Sequence, residues 1–172
     1  PSARCGLAGI AVRESLAALM HKRRSDLLRR LLAYIHDTPE LGALREQAQT
    51  PDYQNAVTEL LELLAANIAS PTDRRCFDGA RQRALARFRQ EFSAVQILSL
   101  AAIYRQLLRD IVEAHFGDDA AVLREALDLV ETQADELELT LAAAYQATRD
   151  QQWHVSETKY HSLFENASEA II

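Results

Sequence analysis

Apolar residues recur at helical spacing along most of this chain, and the most continuous such segment lies at its centre. Between residues 94 and 116 apolar side chains cover most of the predicted helix surface, while Arg105, Arg109 and Glu113 form a narrow polar stripe. A helix that is apolar around most of its circumference is normally buried. We therefore expect a buried central helix, with the other helices packed around it.

The start of this central helix carries a specific signal. Ser93 and Gln96 have the spacing of a capping box, in which each side chain satisfies a backbone N–H at the helix start. Phe92 and Ile97 flank the cap in the positions of a hydrophobic staple. The preceding helix is accordingly predicted to end near Gln90, and the central helix to begin directly after the cap.

Five helices are predicted before the central one. Two amphipathic helices cover residues 7–20 and 26–36, with a polar run between them. Three more begin where a hydroxyl residue precedes a proline, because this pair suits an N-cap and a first helical turn. These starts are Thr38-Pro39, Thr50-Pro51 and Ser70-Pro71, and their helices are predicted over residues 39–48, 51–69 and 71–90.

Gly117 and Asp118 predict the end of the central helix and the N-cap of a last, long one. Apolar and small residues come next at alternating spacings of four and three, which is the pattern of a heptad seam. The seam consists of Leu123, Leu127, Val130, Ala134, Leu137, Leu141, Ala144 and Thr148. The sequence therefore predicts an all-α bundle of about seven helices with a long C-terminal helix.

Composition agrees with a helical domain that has a core. The chain has 172 residues, of which 48% are hydrophobic, and it has only five glycines and four prolines. No strand-length run alternates apolar and polar residues. These features favour one all-α domain with few turns.

Charge, hydropathy and cysteine content bear on the expected partners and cellular location. The net charge is −6, and the basic residues between Arg4 and Arg30 are interpreted as a solvated helix face, so nucleic acid is not an expected partner. No apolar run is long enough to span a membrane. Cys5 and Cys76 are isolated, and no signal peptide is evident, so a reducing cytoplasm is the expected location.

The sequence lacks the patterns typical of enzymes and metal sites. It has no GxSxG, glycine-rich phosphate loop, HExxH or paired CxxC, and its five histidines lie far apart. Two sets of charges share helix faces, and we interpret both as solvated; they are Arg105 with Arg109, and Glu131 with Asp135 and Glu138. We predict no catalytic residue and no metal ligand.

The segment from Leu28 to Tyr145 resembles the sensor globins of bacterial signalling proteins. The order of helices is similar, with a proline-led turn after the second helix, and residues 67–104 can be laid on the sensor-globin F and G helices without a gap. Ala144-Tyr145 is similar to the end of the last globin helix. The resemblance implies a globin-like fold and a sensory role.

Two positions depart from the haem-binding sensor globins. Their haem ligand is a histidine in the pattern H-x-x-I-G-[IL], and the same position is Gln90 here, while the distal tyrosine position is Leu32. A histidine imidazole is the usual proximal ligand of a globin haem. The chain therefore more closely resembles the non-haem, globin-like N-terminal domains of the RsbR stressosome type, through the segment RFRQEFSAVQILSLAAIYRQL. We expect no haem or other cofactor.

The C-terminal end resembles the opening of a PAS domain. The pattern E-x-K-Y-x-x-L-F-E-N-A-x-E-A-I spans residues 157–171. The expected organisation is thus a globin-like sensory domain over residues 1–150, then a linker helix and a truncated PAS start over residues 151–172. Sensor–PAS chains usually end in a histidine kinase or a diguanylate cyclase, and this segment does not choose between those outputs.

Three functions remain open from the sequence. The first is a cytoplasmic, non-haem sensory and dimerisation domain at the N-terminus of a bacterial multi-domain signalling protein. The second is a haem gas sensor that uses His36 or His115, and the third is a purely structural helical dimerisation module. A cavity between the helix at residues 27–35 and the central helix would separate the first from the third.

Two sets of side chains are predicted to serve the first function. A pocket for a small apolar ligand would be lined by Leu28, Leu32, Leu85, Phe88 and Ile97. Apolar surface beyond what the core needs suggests a homodimer interface, because an exposed patch of this kind is unfavourable on a monomer. Its residues are Ile103, Leu107, Leu137 and Leu141.

Overall fold

Helices make up almost the whole chain in the computed structural model, which describes the backbone of residues 2–89 and 92–169 and the side chains of residues 9–88 and 92–158. The described backbone contains six α-helices and one short 3-10 helix, and it contains no strand. They are α1 (Ser2–Asp37), the 3-10 helix (Pro39–Leu41), α2 (Gly42–Ala48), α3 (Pro51–Ala69), α4 (Arg75–Arg89), α5 (Ala94–Phe116) and α6 (Ala120–Glu169). The predicted all-α class is confirmed, with six helices rather than about seven.

The first difference from the sequence prediction is at the N-terminus. Residues 7–20 and 26–36 belong to one continuous helix, α1, instead of two. The polar run between them contains lysine, arginine and serine, none of which breaks a helix. The helix ends at Asp37 because Thr38 precedes a proline and is extended, with φ −93° and ψ 112°.

The proline-led starts behave in three different ways. At α3 the Thr50 side chain accepts a hydrogen bond from the Tyr53 backbone N–H, as predicted. Thr38 makes no side-chain cap, and the helix predicted over residues 39–48 begins as a 3-10 helix that leads directly into α2. Ser70-Pro71 does not begin a helix, because the Asp73 N–H donates to the Ser70 carbonyl and closes a turn.

The actual start of α4 is four residues later than predicted. The Asp73 carboxylate accepts a hydrogen bond from the Arg75 backbone N–H and pairs with the Arg75 guanidinium. That guanidinium lowers the pKa of Asp73 from 3.8 to about 2. The carbonyl of Asp73 accepts a hydrogen bond from the Asn67 side chain, 2.8 Å away, so a contact from α3 fixes the turn.

The predicted capping box of α5 is confirmed. The Gln96 N–H donates to Ser93 Oγ at 3.2 Å, and the Ser93 N–H donates to Gln96 Oε1 at 2.9 Å. Gly117 ends α5 with a right-handed φ of −57° rather than the left-handed geometry of a C′ residue. A Cβ there would lie 2.7 Å from the Glu113 carbonyl oxygen, so only glycine fits.

The N-cap of α6 is Asp119 instead of the predicted Asp118. Its Oδ1 accepts hydrogen bonds from the backbone N–H groups of Ala121 and Val122. Both aspartates are good N-caps, so sequence alone does not separate them.

The core lies between α1, α3, α4, α5 and α6. Helix α1 packs along α3, while α6 packs against both α4 and α5. A smaller cluster forms where α1 meets α2 and α3, around Ile35, Leu41, Leu44, Ala48 and Tyr53. Helix α5 is buried along one side only, since Val95 is 62% exposed and Ala102 also faces solvent.

The heptad seam of α6 faces this core. Val130, Ala134, Ala144 and Thr148 are buried, whereas Leu123 and Leu127 at its beginning are half-buried. From Arg149 to Thr158 every residue is exposed, although the helix continues to Glu169. Helix α6 has 50 residues and is therefore about 75 Å long, so its C-terminal part extends beyond the bundle.

Candidate functional site

A cavity of about 90 Å³ lies between α3, α4, α5 and α6. Most of its lining is apolar, and α1 contributes one leucine. The lining residues are Leu31, Tyr53, Ala56, Val57, Leu60, Leu61, Leu64, Ala80, Arg83, Ala84, Arg87, Ile97, Leu100, Ala101, Tyr104, Leu137 and Leu141. An apolar cavity with a few polar groups is the usual form of a small-molecule site.

The charged groups of this cavity come from one helix. Among the described residues that line it, only Arg83 and Arg87 carry a charge, and both lie on α4. Arg83 Nη2 donates to Glu59 Oε2 at 2.8 Å, whereas Arg83 Nη1 is buried and has no hydrogen-bond partner among the described residues. The Arg87 guanidinium lies over the Tyr53 ring, 5.0 Å from its centre.

Tyr53 is affected by both burial and charge. Burial raises the pKa of its hydroxyl above the ordinary value of 10.0, and the charge and hydrogen bond of Arg87 only partly offset this. Tyr53 therefore presents a neutral hydroxyl and an apolar ring to the cavity at physiological pH.

A buried hydrogen-bond chain lies beside the cavity. The Tyr104 hydroxyl donates to Gln133 Oε1 at 2.5 Å. Gln133 Nε2 donates to the Leu64 carbonyl oxygen and to Asn67 Oδ1, at 2.8 and 2.9 Å. Asn67 in turn donates to the carbonyl of Asp73, so this Tyr104–Gln133–Asn67 chain connects α5, α6, α3 and the turn before α4.

Burial explains the protonation of the groups around this chain. It raises the pKa of Tyr104 well above 10.0, and the nearby Cys76 acts in the same direction. Burial also raises the pKa of Cys76 from 9.0 to about 11. Both groups are therefore neutral at physiological pH, and Cys76 lacks the thiolate character that a reactive cysteine needs.

The residues that line this cavity differ from the predicted pocket set. Ile97 does line the cavity. Leu28, Leu85 and Phe88 pack in the main core, and the Phe88 ring lies 5.2 Å from that of Tyr145. Leu32 lines a separate pocket together with Ile35 and His36.

Four positions bear on whether a haem could bind: Gln90 and Leu32, which replace the globin ligand and distal residues, and the histidines His36 and His115. Gln90 lies outside the described residues. Leu32 is half-buried and does not line the cavity. His36 is exposed and pairs with Asp37, and His115 is exposed with its ring against Phe116, so neither histidine reaches the cavity.

The predicted dimer residues lie inside the single chain. Leu107, Leu137 and Leu141 are 3%, 4% and 7% exposed, and Ile103 is half-buried against the core. Helix α6 packs against α4 and α5 and also contacts α1, so it buries a wider apolar face than a helix with one neighbour. These side chains therefore do not form the exposed stripe that suggested an interface.

The charges that we expected to be solvated form ion pairs between α5 and α6. Arg105 Nη2 lies 2.6 Å from Asp135 Oδ1 and 3.2 Å from Glu138 Oε2. Arg109 Nη1 lies 3.0 Å from Glu131 Oε1. These pairs are partly exposed, so each contributes little to stability, but together they line one edge of the helix pair.

Two apolar surfaces of α6 are exposed. Leu139 and Trp153 are 70% and 72% exposed, and they lie on the same side of the helix because they are fourteen residues apart. Val155 is 51% exposed and continues the buried seam, seven residues after Thr148. The Leu139–Trp153 face is opposite to the seam and points away from the bundle.

The described part of the chain contains neither a metal site nor a membrane span. No group of three or more histidine, cysteine, aspartate or glutamate side chains within it is placed to hold a metal ion. None of its helices combines the length and apolarity needed to cross a bilayer.

Sequence analysis missed Arg83, Arg87, Tyr104 and Gln133. A signal for the arginines does exist, since small alanines share their helix face: Ala80, Arg83, Ala84 and Arg87 are separated by spacings of three, one and three. Small residues on a packed face leave room beside longer neighbours. Gln133 carries no comparable signal, because a glutamine within a polar stretch gives no indication of burial.

The fold and the site together define an all-α bundle with an apolar cavity and a last helix that extends beyond the bundle. A family model described as the RsbT co-antagonist protein rsbRD N-terminal domain matches residues 25–158. The chain belongs to this family, which confirms the resemblance to RsbR-type N-terminal domains. No curated protein and no solved structure gives a match.

We expect the buried hydrogen bonds of Gln133 to contribute to the stability of the fold. Gln133→Met removes two donors and one acceptor from buried partners, so we expect the free energy of unfolding to fall by about 1–3 kcal/mol. Gln106→Met, at an exposed site on α5, should change it by less than about 0.5 kcal/mol. Urea unfolding measures both.

We also expect the effects of Tyr104 and Gln133 on stability to be coupled, because the two side chains share a hydrogen bond. Tyr104→Phe combined with Gln133→Met should cost clearly less than the sum of the two single variants, because each removes the same hydrogen bond. Strict additivity would show that the two side chains do not act together.

Proposed function

We propose that this chain is a cytoplasmic, non-haem sensory and dimerisation domain of a bacterial multi-domain signalling protein. The observation that carries this is the family match over residues 25–158 in a fold whose last helix continues beyond the bundle. The family description itself refers to an N-terminal domain. In this role the segment binds and transmits, while catalysis belongs to downstream domains in cis.

The downstream part is proposed from the PAS-like pattern at residues 157–171. Helix α6 is continuous into this pattern as far as Glu169. We expect a PAS domain there, succeeded by a histidine kinase or diguanylate cyclase output. A continuous helix can pass rotation or translation from the sensory bundle to the next domain, as packed helices switch between discrete arrangements.

The non-haem part of the proposal rests on the cavity and the histidines. The cavity of about 90 Å³ is below the range of about 300–1,000 Å³ typical of sites for larger ligands. The two histidines that could have served as alternative ligands, His36 and His115, are exposed and lie elsewhere.

Titration with haemin tests this directly. We expect weak binding without saturation and without a sharp Soret band. Saturable binding at fixed stoichiometry, lost in either His36→Ala or His115→Ala, would instead support a haem gas sensor.

The dimer is proposed to form through the Leu139–Trp153 face of α6. Leu139, Gln146 and Trp153 are spaced by seven residues, as in one position of a heptad repeat. Leu139 and Gln146 each lie two residues from a buried seam residue, and Trp153 lies two residues from Val155, which continues the seam. Each of the three is thus about 200° around the helix from the seam. A parallel partner helix on this face would cover Leu139 and Trp153 without disturbing the core.

Charge substitutions test this interface by sedimentation. At tens of micromolar we expect a dimer, and Leu139→Glu should weaken it by about tenfold or more, which corresponds to about 1.4 kcal/mol. Emission from Trp153, the single tryptophan, should shift to longer wavelength at the same time. Val155→Glu is the matched control, because it adds the same charge to the other side of α6. A monomeric parent chain at this concentration would exclude the interface.

The signalling role is tested by changing the phase of α6 in the full-length protein. Inserting four residues after Thr148 rotates the C-terminal part of the helix by about 40° and should alter output activity. Inserting seven residues keeps nearly the same phase, so output should stay close to that of the parent. If both insertions leave output unchanged, α6 does not transmit the signal.

A further inference from the structure

The cavity combines an apolar interior with charge on one side only. Leu60, Leu64, Ile97 and Leu100 contribute apolar walls from α3 and α5. Arg83 and Arg87 lie one turn apart on α4 and supply its only charges among the described residues. A ligand that fits must therefore be apolar over most of its surface and polar at one end.

The polar end can be defined from the hydrogen bonds of Arg83. Its Nη2 is used by Glu59, but Nη1 is buried and lacks an acceptor among the described residues. A buried N–H of a charged group without a partner is unfavourable. A ligand that brings an acceptor to Nη1 would remove this cost on binding.

The charge balance selects the class of acceptor. Of the two guanidinium groups that line the cavity, Arg83 pairs with the Glu59 carboxylate, whereas Arg87 has no ion-pair partner among the described residues. One of the two positive charges is therefore not balanced by a pairing carboxylate. A singly charged anion matches this unbalanced charge better than a dianion does. Carboxylates also fit the planar guanidinium geometry and form strong charge-assisted hydrogen bonds with it.

The size of the cavity sets the length of the apolar part. An engineered apolar cavity of about 150 Å³ is enough to bind benzene. The present cavity of about 90 Å³ is smaller, and it should hold a chain of about three or four carbon atoms. Longer chains would have to displace the core side chains around it.

We propose that the cavity binds a short-chain aliphatic monocarboxylate, with its hydrocarbon chain between α3 and α5 and its carboxylate accepting a hydrogen bond from Arg83 Nη1. Arg87 lies beside the same end of the cavity and adds a second positive charge. As a signal this ligand rests on the proposed sensory function, whereas its binding can be measured without any output domain.

Calorimetry with a homologous series tests the binding. Acetate, propionate, butyrate, pentanoate and hexanoate are titrated into the chain at constant ionic strength. Each added methylene should lower Kd about fourfold until the cavity is full near butyrate or pentanoate, after which the gain should stop. If affinity does not depend on the number of carbon atoms in the ligand, the hydrocarbon part does not enter the cavity, and the proposal is overturned.

Variants and a neutral analogue test the carboxylate contact. Arg83→Met keeps most of the side-chain volume and should weaken butyrate binding by about tenfold or more, while Arg81→Met, at an exposed site on the same helix, should leave it unchanged. Butanamide should bind about tenfold more weakly than butyrate. Equal binding of butanamide, or no effect of Arg83→Met, would overturn the carboxylate contact.

Filling the cavity provides an independent test if Arg83→Met fails to fold. Ala56→Leu adds volume at a lining position of α3 and should abolish butyrate binding, whereas Ala66→Leu on the same helix, away from the cavity, should not. If no member of the series binds the parent chain, the ligand proposal is wrong. The phase-dependent insertions after Thr148 do not involve ligand, so the signalling role would still be decided by them.

Discussion

The arrangement of helices depends on the buried Tyr104–Gln133–Asn67 hydrogen-bond chain. An apolar seam with a heptad repeat can slide by a turn at modest cost, since one leucine replaces another. A buried glutamine cannot slide in this way, because its three partners lie on two other helices and would be lost together. The Tyr104–Gln133–Asn67 chain therefore sets the register of α3, α5 and α6. The cavity depends on that register, since Leu64 and Tyr104 belong both to the chain and to the cavity wall.

Local backbone chemistry is predictable from this sequence, and helix continuity is not. The capping box at Ser93 and the cap at Thr50 involve residues within three positions of each other, so the sequence contains the whole interaction. The polar run inside α1 resembles a break, although polarity alone does not interrupt a helix. Pro71 suits either a turn or a first helical turn, and the choice is made by the Asn67 side chain, which belongs to the preceding helix and binds the carbonyl of Asp73.

The family and the sensory class are predictable from the sequence, but the site largely is not. Of the residues predicted to line a pocket for a small apolar ligand, only Ile97 lines the observed cavity. The charge of Arg83 predicts a solvent-facing side chain. The stem of a long basic side chain can nevertheless be buried while its charged head reaches a partner. Leu107, Leu137 and Leu141 suggest a partner chain for a related reason. These leucines outnumber what one neighbouring helix can cover, and the sequence does not reveal that α6 contacts α1, α4 and α5.

The exposed part of α6 has a consequence for local stability. A helix segment without tertiary neighbours is held mainly by its own backbone hydrogen bonds, and isolated helices of this length are marginal in water. The amides of residues 149–158 should therefore exchange with solvent through local fraying rather than through global unfolding. Any molecule that covers this stretch would lower the frequency of fraying, so amide exchange there would report the occupancy of the helix without a label.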